Sequence, residues 1–209
     1  LAALAATPPA RILAPTRLPP HSIGALLAAA GATSMLLDAI EPPPALPLLL
    51  VHLRTLRALT RHAGCAAELA RHAATGVLLP MLAAPLGDPR IALGVELLWN
   101  AVDADAAAIC ATVTSDALAA ALLGVYERLA RSSSLPDGEL ASEVLAIVTT
   151  LARFAGAAVG GAGWFDSACT LIEGESHALS LGQAGKALEH ETLQLALQLL
   201  YSLTAATAP

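Results

Sequence analysis

Histidine and cysteine are the side chains of this chain best suited to bind a metal, and their spacing does not fit that role. His62 and Cys65 lie three residues apart, but Gly64 separates them at an expected helix end. His52, His62 and His72 are spaced by ten residues, which on a helix scatters them around the axis. A closed zinc site takes about four ligands in paired spacing. The sequence therefore predicts no metal and no cofactor.

Serine, glycine and acidic clusters also lack the context that catalysis requires. The run Ser132-Ser133-Ser134 is not part of a Gly-x-Ser-x-Gly elbow. Residues 159–163 are rich in glycine, yet no strand precedes them and no Gly-Lys-Ser/Thr follows, as a phosphate loop needs. Residues 189–191, Glu-His-Glu, are typical of a solvated helix start. We therefore expect a protein that is not an enzyme and has no small-molecule substrate.

An arginine stripe is the first candidate for partner binding. Arg54, Arg57 and Arg61 are spaced by three and four residues, so they share one face of a helix. On the concave side of a helical repeat array, such a stripe could hold acidic side chains through charge-assisted hydrogen bonds. The alternative is a simple solvated face.

A Trp-Asn pair is the second candidate. Trp99 follows a helical pattern of apolar residues, and it would either pack at a seam between repeats or be displayed as a binding anchor. Asn100 could hold the backbone of an extended peptide. The apolar residues expected to form the buried stripe of the same helix are Leu93, Leu97, Leu98 and Val102.

Composition narrows the possible partners. The chain has 209 residues, of which 56% are hydrophobic, 13% charged and 3% aromatic. Globular domains have about a quarter charged residues, so we expect much of this surface to be buried against neighbours. The net charge is −6 and Lys186 is the only lysine, which argues against a nucleic-acid partner. The three cysteines are far apart, which is typical of a reducing, cytoplasmic compartment.

A membrane span is not predicted, although the mean hydropathy is +0.66. A spanning helix needs about 20 apolar residues with few or no charges. The segment Gly24–Leu37 is followed at once by Asp38 and then by three prolines. The segment Ala104–Val125 contains Asp105 and Asp116.

Internal repetition indicates how the candidate residues are positioned. Residues 59–64 and 151–156 both read Leu-x-Arg-(His or aromatic)-Ala-Gly, 92 residues apart. Leu97-Leu98-Trp99-Asn100 and Leu199-Leu200-Tyr201-Ser202 lie 102 residues apart. The two pairs interleave, and no segment alternates with a period of two residues. This predicts an all-α chain with four long helices of one type.

A second series of shorter helices should precede the long ones, each followed by a helix breaker. These are predicted at Ser34–Ile40, Gly76–Leu82, Ala117–Leu129 and Trp164–Ile172, with breakers at 41–44, 87–89, 132–138 and from Gly174 onward.

The resulting period is 43 to 52 residues, against about 40–47 in armadillo and HEAT repeats. We thus predict an armadillo/HEAT-like α-solenoid of about four units, at 21–64, 65–104, 105–156 and 157–209. A Pro-rich extended segment, 1–20, should precede it. Because the first residue is Leu, we expect a fragment of a longer array. A single compact helical bundle is the alternative.

The predicted helix ends follow from capping rules. Asp88-Pro89 should begin a helix, since the missing N–H of proline is harmless in the first turn. Asp137 and Glu139 should lie near a helix start, where the helix dipole favours negative charge. Gly64 and Gly156 should end helices in the left-handed conformation.

The stretch Leu98-Trp99-Asn100 resembles the third helix of armadillo repeats. Cargo receptors of the importin-α type display Trp and Asn in successive repeats to hold basic peptides, whereas this chain has Tyr201-Ser202 at the related position. Residues 95–100, with the Ala-rich loops, are similar to armadillo-type cilia- and flagella-associated proteins of the axonemal central apparatus.

That second resemblance implies a scaffold in the axoneme of a cilium or flagellum, with central-pair proteins as partners. The alternative is a soluble armadillo adaptor that captures a peptide or partner helix in its concave groove.

Overall fold

The computed structural model describes residues 26–27, 29–71, 75–112, 115–180 and 190–207. Within these ranges every regular element is an α-helix and no strand occurs, so the all-α prediction is confirmed. The predicted extended segment, 1–20, lies outside the described residues, as does His72.

Nine helices are bounded within the described ranges. They are α1 (Ala32–Asp38), α2 (Leu46–Thr60), α3 (Ala63–Arg71), α4 (Thr75–Leu82), α5 (Pro89–Thr112), α6 (Ser115–Ala130), α7 (Leu135–Gly161), α8 (Trp164–Ser180) and α9 (His190–Thr207).

The helices of the predicted shorter series, α1, α4, α6 and α8, begin within two residues of their predicted starts, but α6 (16 residues) and α8 (17 residues) are longer than α2 (15 residues). One prediction about this series was wrong. Helix α8 continues through Gly174 to Ser180, so the predicted breaker there does not act as one. Helix α3 is an additional element that the two predicted series do not include.

Helix starts follow the local chemistry. Helix α5 begins at Pro89 as predicted, and Asp88 Oδ1 accepts a hydrogen bond of 2.9 Å from the N–H of Arg90. Helix α7 begins four residues earlier than Glu139 would indicate, at Leu135, with Asp137 in its first turn. Carboxylates at these positions satisfy or face the free N–H groups of a first turn.

The predicted glycine ends were wrong. Gly64 is the second residue of α3, and Gly156 lies inside α7. Helix α2 instead ends through Arg61, which keeps right-handed angles of φ −66° and ψ −15°, so the link to α3 needs no left-handed residue. Gly156 serves packing: a Cβ there would lie 2.4 Å from Cβ of Ala206 in α9.

The helices at the four predicted long positions pack in chain order, α2 against α5, α5 against α7, and α7 against α9. Helices α3 and α4 pack on α5, α6 packs on α7, and α8 packs on α9. Several hydrogen bonds between helices join residues 40 to 50 positions apart, and one from Ser34 to Glu68 spans 34 positions. The longer ones include those from Asn100 to Thr60, from Trp164 to Ala119, from Thr149 to Leu195 and between Ser142 and Thr192.

The core is mainly leucine, with one buried indole. Trp164 is fully buried, and its Nε1 donates to the carbonyl of Ala119 at 2.9 Å. Its ring centroid lies 5.3 Å from that of Tyr126. This contact joins α8 to α6 and satisfies the only polar atom of the indole.

Two long helices are interrupted. The backbone leaves helical geometry at Asp105 in α5 (φ −161°, ψ 78°) and at Ala155 in α7 (φ −136°, ψ 42°). Asp105 Oδ1 accepts a hydrogen bond of 2.9 Å from the N–H of Ala108, so it caps the segment that follows. Both breaks lie beside predicted unit boundaries, while the units themselves stay a prediction.

Among the described helices, α7 alone is long and apolar enough to cross a membrane, and half of its most apolar window is buried in the protein. Buried core helices pass the same length and composition test, so this is weak evidence for a span. Neither Gly24–Leu37 nor Ala104–Val125, the segments weighed from the sequence, forms such a helix within the described residues.

Candidate protein-interaction site

Of the arginine stripe, Arg54 and Arg57 lie on α2, and Arg61 follows directly after its last residue. Arg54 and Arg61 are exposed, and neither forms an ion pair within the described residues. Arg57 is paired with Glu96 of α5 at 3.0 Å between Nη1 and Oε2. One of the three guanidinium groups therefore links two helices, and partner binding by the stripe stays a prediction.

The Trp-Asn pair is packed between helices. Trp99 is half-buried against the core, in line with the seam interpretation. Asn100 is also half-buried, and its Nδ2 donates to Oγ1 of Thr60 in α2 at 3.1 Å. Because that N–H already has a partner, holding a peptide backbone would require Asn100 to give up a contact. Its role in binding stays a prediction.

An acidic cleft, which sequence reasoning missed, lies between α5 and α7. It is a cavity of about 330 Å³ with an apolar lining that includes Ile91, Leu129 and Leu140. Five carboxylates line it: Asp88, Glu96, Asp137, Glu139 and Glu143. In the sequence these acids fall in two separate groups, at 88–96 and 137–143, which only the packing of α5 on α7 brings together.

The carboxylates of the acidic cleft differ in their hydrogen-bond and ion-pair partners. Arg90 donates to both oxygens of Asp88, with Nη2 to Oδ2 at 2.7 Å, and these hydrogen bonds lower the pKa of Asp88. Asp137 accepts a hydrogen bond of 2.6 Å from Ser132, and Glu96 is paired with Arg57.

Glu143 has no ion pair within the described residues. Burial raises the pKa of Glu143 to about 7, with further contributions from the charges of Glu96 and Glu139. A carboxyl with this pKa changes its charge near neutral pH. The described residues nevertheless contain no group of three side chains placed to hold a metal ion.

An apolar groove lies between α7 and α9. Its cavity has a volume of about 810 Å³. Three large side chains that line it are exposed: Phe154 by 57%, Leu197 by 52% and Tyr201 by 76%. Its polar lining includes Gln194, Gln198 and Arg153. We call this surface the α7–α9 groove.

From the sequence, residues of the α7–α9 groove were recognised only as parts of repeated motifs. Phe154 and Tyr201 fall within the two matched motifs, which were used to define the period. A signal was present in α9, because Leu197 and Tyr201 are four residues apart, on the face away from buried Ala196 and Leu199. A second apolar face on a helix that already has one would have indicated a surface site.

The three cysteines form no disulfide within the described residues, and burial protects two of them. Burial raises the pKa of Cys65 and of Cys110, which keeps both thiols protonated near neutral pH. Cys169 is half-buried.

Comparison of the chain with protein-family models, with curated proteins and with solved structures finds no match.

Proposed function

We propose that this protein is a non-catalytic scaffold that binds other proteins, and that the α7–α9 groove is its partner-binding surface. The observation that carries the proposal is the exposure of Phe154, Leu197 and Tyr201 together in one cavity. Contiguous exposed apolar surface of this kind is typical of protein-binding sites.

The energetics support binding at this groove. Full burial of one Leu or Phe side chain is favourable by about 1.5–3 kcal/mol. Aromatic residues are also enriched among those that dominate binding energy at interfaces. Because all three side chains are exposed, a partner that covers the groove would bury them together.

The scaffold is proposed to be an armadillo/HEAT-like α-solenoid. Stacked repeats require each unit to contact the next, because one hairpin cannot bury its apolar face alone. The packing of α2, α5, α7 and α9 in chain order supports this arrangement. So do the interhelical hydrogen bonds between residues 40 to 50 positions apart, which is close to one repeat.

We place the scaffold in a large assembly, with the axonemal central apparatus of a cilium or flagellum as the setting and central-pair proteins as partners. The low charged fraction, 13%, supports burial by neighbours. The setting itself rests on the resemblance of residues 95–100.

Site-specific photo-crosslinking tests the proposal. A photoreactive phenylalanine analogue replaces Tyr201 in the full chain, and the products formed in cells are identified by mass spectrometry. The matched control carries the analogue at Leu135, which is 84% exposed and lies about 28 Å along α7 from Phe154. We expect a recurring partner at position 201 and not at 135. Identical products at both positions, or none at 201, would contradict the proposal.

The second candidate function is capture of an acidic peptide along α2. It is favoured by the exposure of Arg54 and Arg61 without ion-pair partners in the described residues. Replacing both with Glu should abolish such capture while leaving the far-UV helical signal unchanged. If an acidic peptide binds this double variant as it binds the original protein, α2 is a solvated face.

A further inference from the structure

We infer that the occupant of the α7–α9 groove is an amphipathic helix of a partner protein, with a carboxylate on the side of the helix that faces Arg153. This inference rests on the proposed function and adds the chemistry of the partner.

The charge of the groove indicates the sign of the charge expected on the partner. Arg153 is exposed and has no ion pair within the described residues, and no acidic side chain lines the cavity. The cleft between α5 and α7, by contrast, is lined by five carboxylates. A groove whose only charged group among the described residues is a guanidinium complements a carboxylate, which it can bind through two parallel hydrogen bonds.

The shape of the groove fits a helix. The lining residues of α9 from Gln194 to Ala205 cover about 17 Å, or roughly three helical turns. Leu197 and Tyr201 are one turn apart, which suits partner side chains at helical spacings of three, four and seven residues. Small residues, Ala152 and Ala205 among them, line the cavity and allow another helix to approach closely.

Other classes of partner fit less well. Nucleic acid is held by several cations that neutralise phosphates, whereas the groove has one. The two glutamine side chains in the lining, Gln194 and Gln198, are exposed amides that can bond to polar side chains on the flank of a partner helix.

Three labelled peptides of one length test the inference by fluorescence anisotropy with the purified full chain. Each is a designed amphipathic helix with the same leucine face, and the residues that flank this face are Glu, Gln or Lys. We expect the Glu peptide to bind about fivefold more tightly than the Gln peptide and more tightly still than the Lys peptide, because one partly desolvated ion pair is gained.

Variants separate the groove from the rest of the surface. Arg153→Glu should reverse the order of the Glu and Lys peptides, and Tyr201→Ser should weaken all three. Arg71→Glu makes the same charge change at an exposed position of α3, outside both candidate surfaces, and should change none of the affinities. Equal effects of Arg153→Glu and Arg71→Glu would mean a long-range charge effect, and the inference would be wrong.

The outcomes distinguish this inference from the proposed function. If the Gln and Glu peptides bind equally, the groove binds helices, but the inferred carboxylate opposite Arg153 is wrong. If no peptide binds while crosslinking at position 201 recovers a partner, the proposed binding function of the groove stands, and the inference that the partner is a helix is wrong. If crosslinking also fails, both are wrong. Neutral and anionic phospholipid vesicles form a further arm, and vesicle binding that Tyr201→Ser abolishes would replace the protein partner with a lipid surface.

Discussion

Helix α7 lines two concave surfaces of opposite character. Its first half, with Glu139 and Glu143, faces α5 across the acidic cleft. Its second half, with Arg153 and Phe154, faces α9 across the α7–α9 groove. Among the described residues, the cleft has five carboxylates in its lining and the groove has none.

Part of this difference follows from the helix itself. Negative charge is stabilised near a helix N-terminus and positive charge near a C-terminus, with the effect confined to about one turn at each end. Asp137, in the first turn, conforms to this rule. Glu143 lies two turns into α7, beyond the reach of the dipole, and it is half-buried beside two other acids. Helix electrostatics therefore explain Asp137, whereas the position of Glu143 disfavours its charged form.

The largest expected effect is on the groove side, at Gly156. In Gly156→Ala the new Cβ would meet Cβ of Ala206 at 2.4 Å, so α9 must move away from α7. Overpacking of this kind costs about 1–3 kcal/mol, and urea unfolding followed by circular dichroism would measure the loss.

The matched control for Gly156→Ala is Gly124→Ala, where a Cβ meets nothing within 4 Å. That helical position should gain up to about 1 kcal/mol, because alanine has the higher helix propensity. Equal stability changes in the two variants would show that α7 and α9 do not approach closely at Gly156.

The next effect is on the cleft side, at Glu143. Because the folded pKa of about 7 lies above the ordinary value of 4.5, the folded chain binds more protons than the unfolded chain between these pH values. Stability at this site should therefore fall as pH rises from about 4.5 to 7 and stay low above that.

Glu143→Gln should remove this pH dependence and stabilise the protein at pH 8. We expect a gain of about 1–2 kcal/mol, after allowing for solvent screening of a half-buried group. Unfolding free energies of both proteins at pH 5 and pH 8 measure it, with Glu173→Gln in α8 as the exposed control, because Glu173 does not contribute to the pKa of Glu143. If the unfolding free energy of Glu143→Gln changes between pH 5 and pH 8 as much as that of the original protein, a group other than Glu143 is responsible for the pH dependence.

A smaller effect tests how α2 influences the acidic cleft. Arg57→Gln removes the ion pair between Arg57 and Glu96. The side chain of Arg57 is 38% exposed and that of Glu96 is 37% exposed. The direct loss should be only about 0.5 kcal/mol and should vanish at high salt. Because Glu96 then lacks its compensating charge, the pKa of Glu143 should rise further. The pH at the midpoint of the stability change should therefore be higher in the variant. An unchanged midpoint would show that the charge of Glu96 does not affect Glu143.

The smallest effect is expected for Leu197→Ser, again in the groove. This side chain is 52% exposed, so its replacement should change the stability of the isolated chain by about 0.5 kcal/mol or less, as is usual for surface positions. Partner binding at the α7–α9 groove should nevertheless weaken. A large loss of stability would indicate that Leu197 contributes to the fold rather than to a binding surface.

Local rules predicted much of the helical layout. Leucine spacing and Pro- or Gly-containing breakers located α1, α4, α6 and α8, and Asp88-Pro89 located the start of α5. These signals act within a few residues, so one sequence is sufficient to find them.

The wrong prediction at Gly156 and the two missed surfaces concern features set by tertiary packing. Gly156 matches a capping pattern, yet it is a contact point with Ala206, which is 50 residues away in the sequence. The acidic cleft and the α7–α9 groove each form where two helices meet, so residue type alone does not show which side chains line them. Thr60 and Asn100 are likewise joined across 40 residues.

The break at Ala155 has a mechanical consequence. It lies between Phe154, which lines the groove, and Gly156, where α7 touches α9. An unbroken helix resists bending through its continuous ladder of hydrogen bonds, whereas an interruption in that ladder is a compliant point. A load applied through a partner on the groove would therefore flex α7 at Ala155 first, and the leucine core around α5 would bear less of it.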